Sequence, residues 1–227
     1  MGNLFNRIAH LFTQILFSII TPFLLIPWIA RLSVTRLFIA FCFGRLYGSR
    51  YQNIIDSFQG RYGLAMAKGL AEVKETEGDK ISVAVDCGTG TGFVTRQAAE
   101  QFPSATFIAF DIFHGMLKQA QENCQNIAAD VFHVQADTFA LPFADRSADL
   151  LLIQNTIPWF AEFDRVCRPG GTIIYVDTSS GWITNLAIWL VDRHQLFETV
   201  IGEQVDLGFY VLAKKPVGYP SVNHQKS

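Results

Sequence analysis

The residues with the clearest chemical potential lie between 83 and 95. An apolar stretch, Val83 to Val85, ends in Asp86 and is followed by Gly88, Gly90 and Gly92, after which a helical pattern begins at Phe93. Glycines two apart at the end of a strand let the backbone turn tightly and lie flat against a ligand, where a Cβ would collide. The dinucleotide fingerprint wants its third glycine one place later, and Phe93 stands there. The loop therefore suits a polar, flat ligand other than a dinucleotide.

Three further strand ends carry polar residues. Thr106 to Phe110 is a buried strand ending in Asp111, 25 residues beyond Asp86. An acid at that tip can accept both ribose hydroxyls of a nucleoside, and its plainer role is to cap the helix that follows. Val131 to Gln135 is the third strand, and Ala136, Asp137, Thr138 and the run to Phe143 follow it; Asp137 also reads as a simple turn residue. Ala148 to Ile153 is a near-continuous apolar run, the mark of a central strand buried on both faces, and it carries Gln154, Asn155 and Thr156 to its end. A helix through Phe163 to Cys167 then meets Pro169, Gly170 and Gly171, which end it and admit the strand Thr172 to Asp177.

Asp86 with its three glycines, Asp111 to Leu117, Ala136 to Phe143 and the Arg165-to-Gly171 turn resemble, in order and register, the motifs of class I S-adenosylmethionine-dependent methyltransferases, in particular the small-molecule, ubiquinone and menaquinone group. The resemblance covers roughly residues 50–216. It implies an α/β, Rossmann-like, seven-stranded sheet, mostly parallel with an antiparallel C-terminal hairpin strand, and helices on both faces. It implies S-adenosyl-L-methionine as cofactor, held by Asp86, Gly88, Thr89, Gly90, Gly92, Asp111, Ile112, Asp137, Thr138 and Gln154. In the family Asp111 would take the ribose and Asp137 the adenine amino group. Phe113 departs from the serine usual at its place, which removes one polar contact.

Methyl transfer from a sulfonium is an in-line displacement in which placement does much of the work, so one base or none suffices. Residues expected past the fourth and fifth strands face the acceptor: Asn155, Thr156, Trp159, Asp177 and Thr178. Weak candidates for chemistry are His194, Asn155 and Asp177, with surface or helix packing the plainer account of His194. His114 and His133 fall in cofactor-side contexts. Residues 50–74 show amphipathic helical spacing, from which Tyr51 and Tyr62 either pack or reach the site. Cys42, Cys87, Cys124 and Cys167 lack metal or redox spacing, and no metal is expected. An acidic catalytic part disfavours nucleic acid as a partner.

Half of the residues are hydrophobic and 17% are charged, against ~25% charged in an average soluble domain. The excess is at the front. Residues 11–30 carry no charge, and residues 1–55 hold five arginines and no acid; thirteen basic and twenty acidic residues follow. A basic, apolar leader suits an anionic membrane surface. Residues 1–49 are thus expected to be a hydrophobic membrane-anchor helix, 50–216 the catalytic domain and 217–227 a flexible tail. Pro22 and Pro27 interrupt the run, so a spanning helix, interfacial or re-entrant helices and a structural cap over the core all stay open. If the run spans, the excess of arginines after it puts the catalytic domain on the cytoplasmic side. The expected partner is a lipophilic small molecule presented from the membrane; the alternative is a catalytically silent scaffold subunit in a membrane complex.

Overall fold

The computed structural model describes residues 32–39, 41, 53, 60–156, 159–178 and 197–218. Seven strands among them, β1 (Val83–Cys87), β2 (Thr106–Asp111), β3 (Val131–Gln135), β4 (Ala148–Gln154), β5 (Cys167–Asp177), β6 (Glu198–Val205) and β7 (Gly208–Lys214), form one sheet in the order β3-β2-β1-β4-β5-β7-β6. Strands β1 to β5 pair in parallel, and β7 runs antiparallel to both β5 and β6. The expected hairpin at one edge is present. The strand order reverses between β1 and β4, and in open α/β sheets the crevice outside that reversal receives ligands.

The sheet is covered on both faces by α2 (Leu64–Glu77), α3 (Phe93–Gln101), α4 (His114–Asn123) and α5 (Phe160–Val166), with α1 (Ser33–Ile39) preceding them in the chain. Strand β4 shows why its sequence is apolar throughout. Leu150 and Leu152 join the core with Met66, Leu70 and Ala98, while Leu151 and Ile153 join the opposite core with Phe163 and Val166. Successive side chains of a strand point to opposite faces, so a strand covered twice has no polar side to keep.

Two expectations need correction. The helical spacing over residues 50–74 does not give one helix: Gly60 takes a left-handed conformation (φ 83°), Arg61–Gly63 is a single tight turn, and α2 begins only at Leu64 and runs on to Glu77. A glycine with no Cβ breaks the helical path there at little cost. Strand β5 starts at Cys167, not Thr172, because Ala148 already pairs with Cys167 before the register shifts to Leu150 with Thr172. The intervening Arg168 to Gly171 form a bulge, with Gly170 at φ 79°.

Of the expected hydrophobic leader helix, only α1, seven residues long, falls among the described residues; the 11–30 run lies outside them. Among the described residues no helix is long and apolar enough to cross a membrane.

Arg165 on α5 fixes the long connection between β3 and β4. Its guanidinium donates to the carbonyls of Phe143 (2.7 Å) and Leu141 (2.8 Å), to Asp145 (2.8 Å) and to Glu162 (2.7 Å). Glu162 in turn accepts the Leu141 amide at 2.8 Å. One arginine thus anchors the segment that begins at Asp137. Replacing Arg165 by Ala leaves two carbonyls and two carboxylates without their donor, and is expected to lower stability by roughly 2–3 kcal/mol in urea denaturation, the scale of a charge-assisted hydrogen bond.

Candidate active site at the carboxyl edge of the sheet

The glycine loop leaves β1 beside the strand reversal. The amides of Gly88 and Thr89 both donate to the carbonyl of Phe110, at 3.0 and 2.8 Å, which ties the loop to the end of β2. Gly88 has φ 75°, and a Cβ there would meet Thr156 Oγ1 at 2.3 Å. Gly88 packs against Thr156 and Gly92 against Ala120 and Cys124, so neither position has room for a side chain.

Asp86 is buried under this loop. Its Oδ2 accepts the Thr95 hydroxyl at 2.6 Å, and Thr95 Oγ1 lies 3.0 Å from Thr89 Oγ1. Since the one Thr95 proton goes to Asp86, Thr89 donates within the hydroxyl pair. Burial pushes the Asp86 carboxyl up to about 6, opposed by the threonine hydrogen bonds. Asp86 therefore holds the loop from below, with Thr89 as the link. The sequence left Thr95 out of the site, although it lies one helical turn into α3, nine residues past Asp86.

Asp111 is also buried, and its two oxygens are split between the two sides of the crevice. Oδ2 accepts the Gly90 amide at 3.0 Å and Oδ1 the Phe113 amide at 2.9 Å. The N-cap of α4 is Phe113, so Asp111 does not cap that helix; it joins the two loops instead. Burial raises its pKa against the lowering effect of the amides. Next to it Ile112 is 45% exposed at the strand tip, an apolar surface suited to a flat ring. Asp137 accepts the Phe139 amide on Oδ1 at 3.0 Å, and its carbonyl accepts the Ala140 amide at 3.0 Å. The turn role is realised there. Thr138 beside it is half-buried, and Phe139 packs edge-on against Trp159 with centroids 4.8 Å apart.

At the ends of β4 and β5 the structure gathers Gln154, Asn155, Thr156, Asp177 and Thr178, as the sequence proposes, and adds Tyr62. Gln154 Nε2 donates to the Tyr62 carbonyl at 3.2 Å, which fixes the amide's orientation. Its Oε1 is buried and has no hydrogen-bond partner. A buried carbonyl oxygen left so costs about 1–3 kcal/mol, and a ligand N–H removes that cost. Asp177 is buried at the end of β5, and Tyr175 above it is raised well above the usual phenol range by burial. His194 and Tyr51 lie outside the described residues. His133 sits half-buried on β3, away from these residues.

Bare backbone at the glycine loop, a buried acid beside it, an exposed apolar side chain and an unsatisfied amide oxygen together fit a nucleoside that carries an amino-acid tail. Nothing in the described geometry contradicts the cofactor that the sequence resemblance implies.

A raised carboxyl pKa makes the folded state bind a proton more tightly than the unfolded chain does. The resulting stabilisation is complete below the unfolded pKa and is lost as pH rises through about 6 for Asp86. Comparing wild type with Asp86→Asn in urea melts, the wild type should gain relative stability, on the order of 3 kcal/mol, as pH falls from 8 to 4. A pH-independent difference would show that Asp86 is ionised normally.

Comparison with known proteins agrees with the geometry. Residues 85–175 match the family model described as a methyltransferase domain. The chain is 37% identical over 97 residues to a malonyl-[acyl-carrier protein] O-methyltransferase of Hahella chejuensis, covering 40% of this chain and 34% of that protein. A protein of the same name from a Marinomonas species is 31% identical over 133 residues, 56% of this chain and 48% of that one. The chain thus spans less than half the length of these curated relatives. Among solved structures, a SAM-dependent methyltransferase from Aquifex aeolicus superposes with a TM-score of 0.53 at 18% identity over 64% of this chain and 89% of that one. One from Methanosarcina mazei gives 0.52 at 15% over 64% and 97%. At those identities the likeness is one of fold. Fold, glycine loop and the match over residues 85–175 agree on a methyltransferase domain in that stretch of the chain.

Proposed function

We propose that the whole chain transfers the methyl group of S-adenosylmethionine to a lipophilic small molecule, such as a quinone, a phospholipid head group or an isoprenoid, presented from a membrane surface. The observation that carries the transfer reading is the conjunction, at one sheet edge, of the bare Gly88–Gly92 backbone, the Asp111 carboxylate and the unsatisfied Gln154 oxygen. Bound, the cofactor supplies an electrophilic methyl carbon. Asp111 accepts the ribose hydroxyls, Ile112 lies along the base, and Asp137 takes the adenine amino group. Gln154 Oε1, buried and without a hydrogen-bond partner, would accept from the ammonium end. The residues past β4 and β5, Asn155, Thr156 and Thr178, then face the acceptor.

The lipophilic acceptor rests on the uncharged run 11–30 and on the arginines that surround it, which suit an anchor on an anionic membrane with the catalytic domain on the cytoplasmic side. The names of the relatives support a second reading, in which the acceptor is a carboxylate on an acyl chain carried by a protein. The family match spans residues 85–175, the cofactor half of the site, and so bears less on the acceptor. A scaffold subunit that binds the cofactor without turnover is the third reading.

Full-length protein in mild detergent is expected to bind S-adenosylmethionine in calorimetry, and Asp111→Asn to weaken binding at least roughly tenfold, the scale of one charge-assisted hydrogen bond. No binding by the wild type overturns the methyltransferase reading. With radiolabelled methyl donor, liposomes of polar lipid and quinone, and malonyl-acyl carrier protein supplied together, label in the organic phase supports the lipophilic acceptor. Label on the carrier protein supports the second reading, and binding without any transfer supports the scaffold.

A further inference from the structure

Asn155 is one of three non-glycine residues with positive φ among those described, at 52°. Asparagine tolerates that region better than most residues, but it carries a cost that the surroundings must offset. Here both ends of the side-chain amide are engaged. Nδ2 donates to the Tyr62 hydroxyl at 2.5 Å and to Thr178 Oγ1 at 2.8 Å, while Oδ1 accepts the Thr178 amide at 2.9 Å. Its backbone amide donates to the Val176 carbonyl at 3.0 Å. With both amide protons engaged inside the protein, Asn155 has no donor left for a substrate. It is a joint between the ends of β4 and β5 and the turn Arg61–Gly63.

That turn is held at four other points, all at the same sheet edge. Gln154 Nε2 donates to the Tyr62 carbonyl at 3.2 Å, and Gln97 Nε2 on α3 donates to the Gly63 carbonyl at 3.1 Å. Tyr62 stacks edge-on to Phe93, the first residue of α3, with centroids 6.1 Å apart. Arg61 forms a two-pronged pair with Asp206 in the β6–β7 turn, 2.5 and 2.7 Å. The turn therefore bridges the helix that follows the glycine loop and the strand end that carries the unsatisfied Gln154 oxygen. The left-handed kink at Asn155 also sends the chain back so that Thr156 lies against Gly88.

We infer that Asn155 is a positioning residue that couples the Arg61–Gly63 turn to occupancy of the methyl-donor site. Its carboxamide fixes Tyr62, Tyr62 fixes the Gln154 amide, and Gln154 and Thr156 flank the donor loop. Coupling of this kind is reciprocal: whatever orders the turn tightens donor binding, and donor binding orders the turn. The inference rests on the methyltransferase reading above.

The test uses the full-length protein in mild detergent, with S-adenosylmethionine as probe, calorimetry for affinity and amide hydrogen exchange for order. Asn155→Gly keeps the left-handed backbone and deletes the joint; Tyr62→Phe deletes one hydroxyl and keeps the ring against Phe93. Each variant is expected to bind the probe about five- to fiftyfold more weakly, and the double variant no more weakly than Asn155→Gly alone, because the two side chains act as one unit. Bound probe should slow exchange over residues 60–66 in the wild type and not in Asn155→Gly, with exchange in β1 and β2 unchanged between the unliganded proteins. Wild-type affinity in both single variants, losses that add in the double, or faster exchange throughout the sheet would overturn the coupling while leaving the methyltransferase reading in place. Failure of the wild type to bind the probe would overturn both.

Discussion

The carbonyl oxygen of Phe110 accepts two amides, from Gly88 and Thr89, and the geometry of the whole carboxyl edge depends on that shared acceptor. Because β1 and β2 run in parallel with Cys87 opposite Phe110, the loop leaving β1 can reach that carbonyl only by folding back across the sheet edge. Folding back so sharply requires left-handed backbone at Gly88 and again at Gly90 and Gly92. The same path carries the Gly90 amide to Asp111 and brings Thr89 over Asp86. One short-range constraint thereby sets the acid, the bare surface and the start of α3 in a single arrangement.

Much of this was legible in the chain. A strand, an acid and alternate glycines fix a loop whatever surrounds it, since the steric requirement is local. The continuous apolar run of β4 announces burial on both faces, and its two core layers show why. The Asp111 position was legible as well, though not its division between two amides, because which loop folds toward an acid is decided by strand pairing distant in sequence. Tyr62 illustrates the limit. Its spacing with Phe58 and Ile55 reads as one stripe of an amphipathic helix, yet Gly60 turns the chain and places Tyr62 at the site. Periodicity records which residues are apolar and does not record where a glycine turns the chain.

The Arg165–Glu162 cluster and the buried Lys215 show the same division of labour. Lys215 donates to the Cys167 carbonyl at 3.0 Å and pairs with Asp164 at 3.0 Å, closing the corner between α5 and β5. Both groups look in the sequence like ordinary surface charges. Each spends its donors on backbone carbonyls at bends of the chain, where regular pairing leaves acceptors unused. The Pro169 to Gly171 bulge provides the bend, and the lysine supplies the hydrogen bonds that the bend leaves open. The chemistry-bearing edge needs neither charge directly; they act ahead of β4 and at the start of β5, on the opposite edge of the sheet.

The charge balance at that edge is set by two buried carboxyl groups. Asp86 and Asp111 are both buried and both shifted toward the neutral form by burial, and Asp111 adds to the forces pushing Asp86 up. Near them the donors are neutral amides and hydroxyls, which stabilise a carboxylate by less than a cation does. A ligand bearing positive charge on its tail relieves that cost, whereas an anionic one adds to it. S-adenosylmethionine carries a sulfonium, and its demethylated product has lost that charge. Under the proposed function, the buried acids that hold the loop favour the charged donor over the neutral product through their field, without a contact with the methyl group.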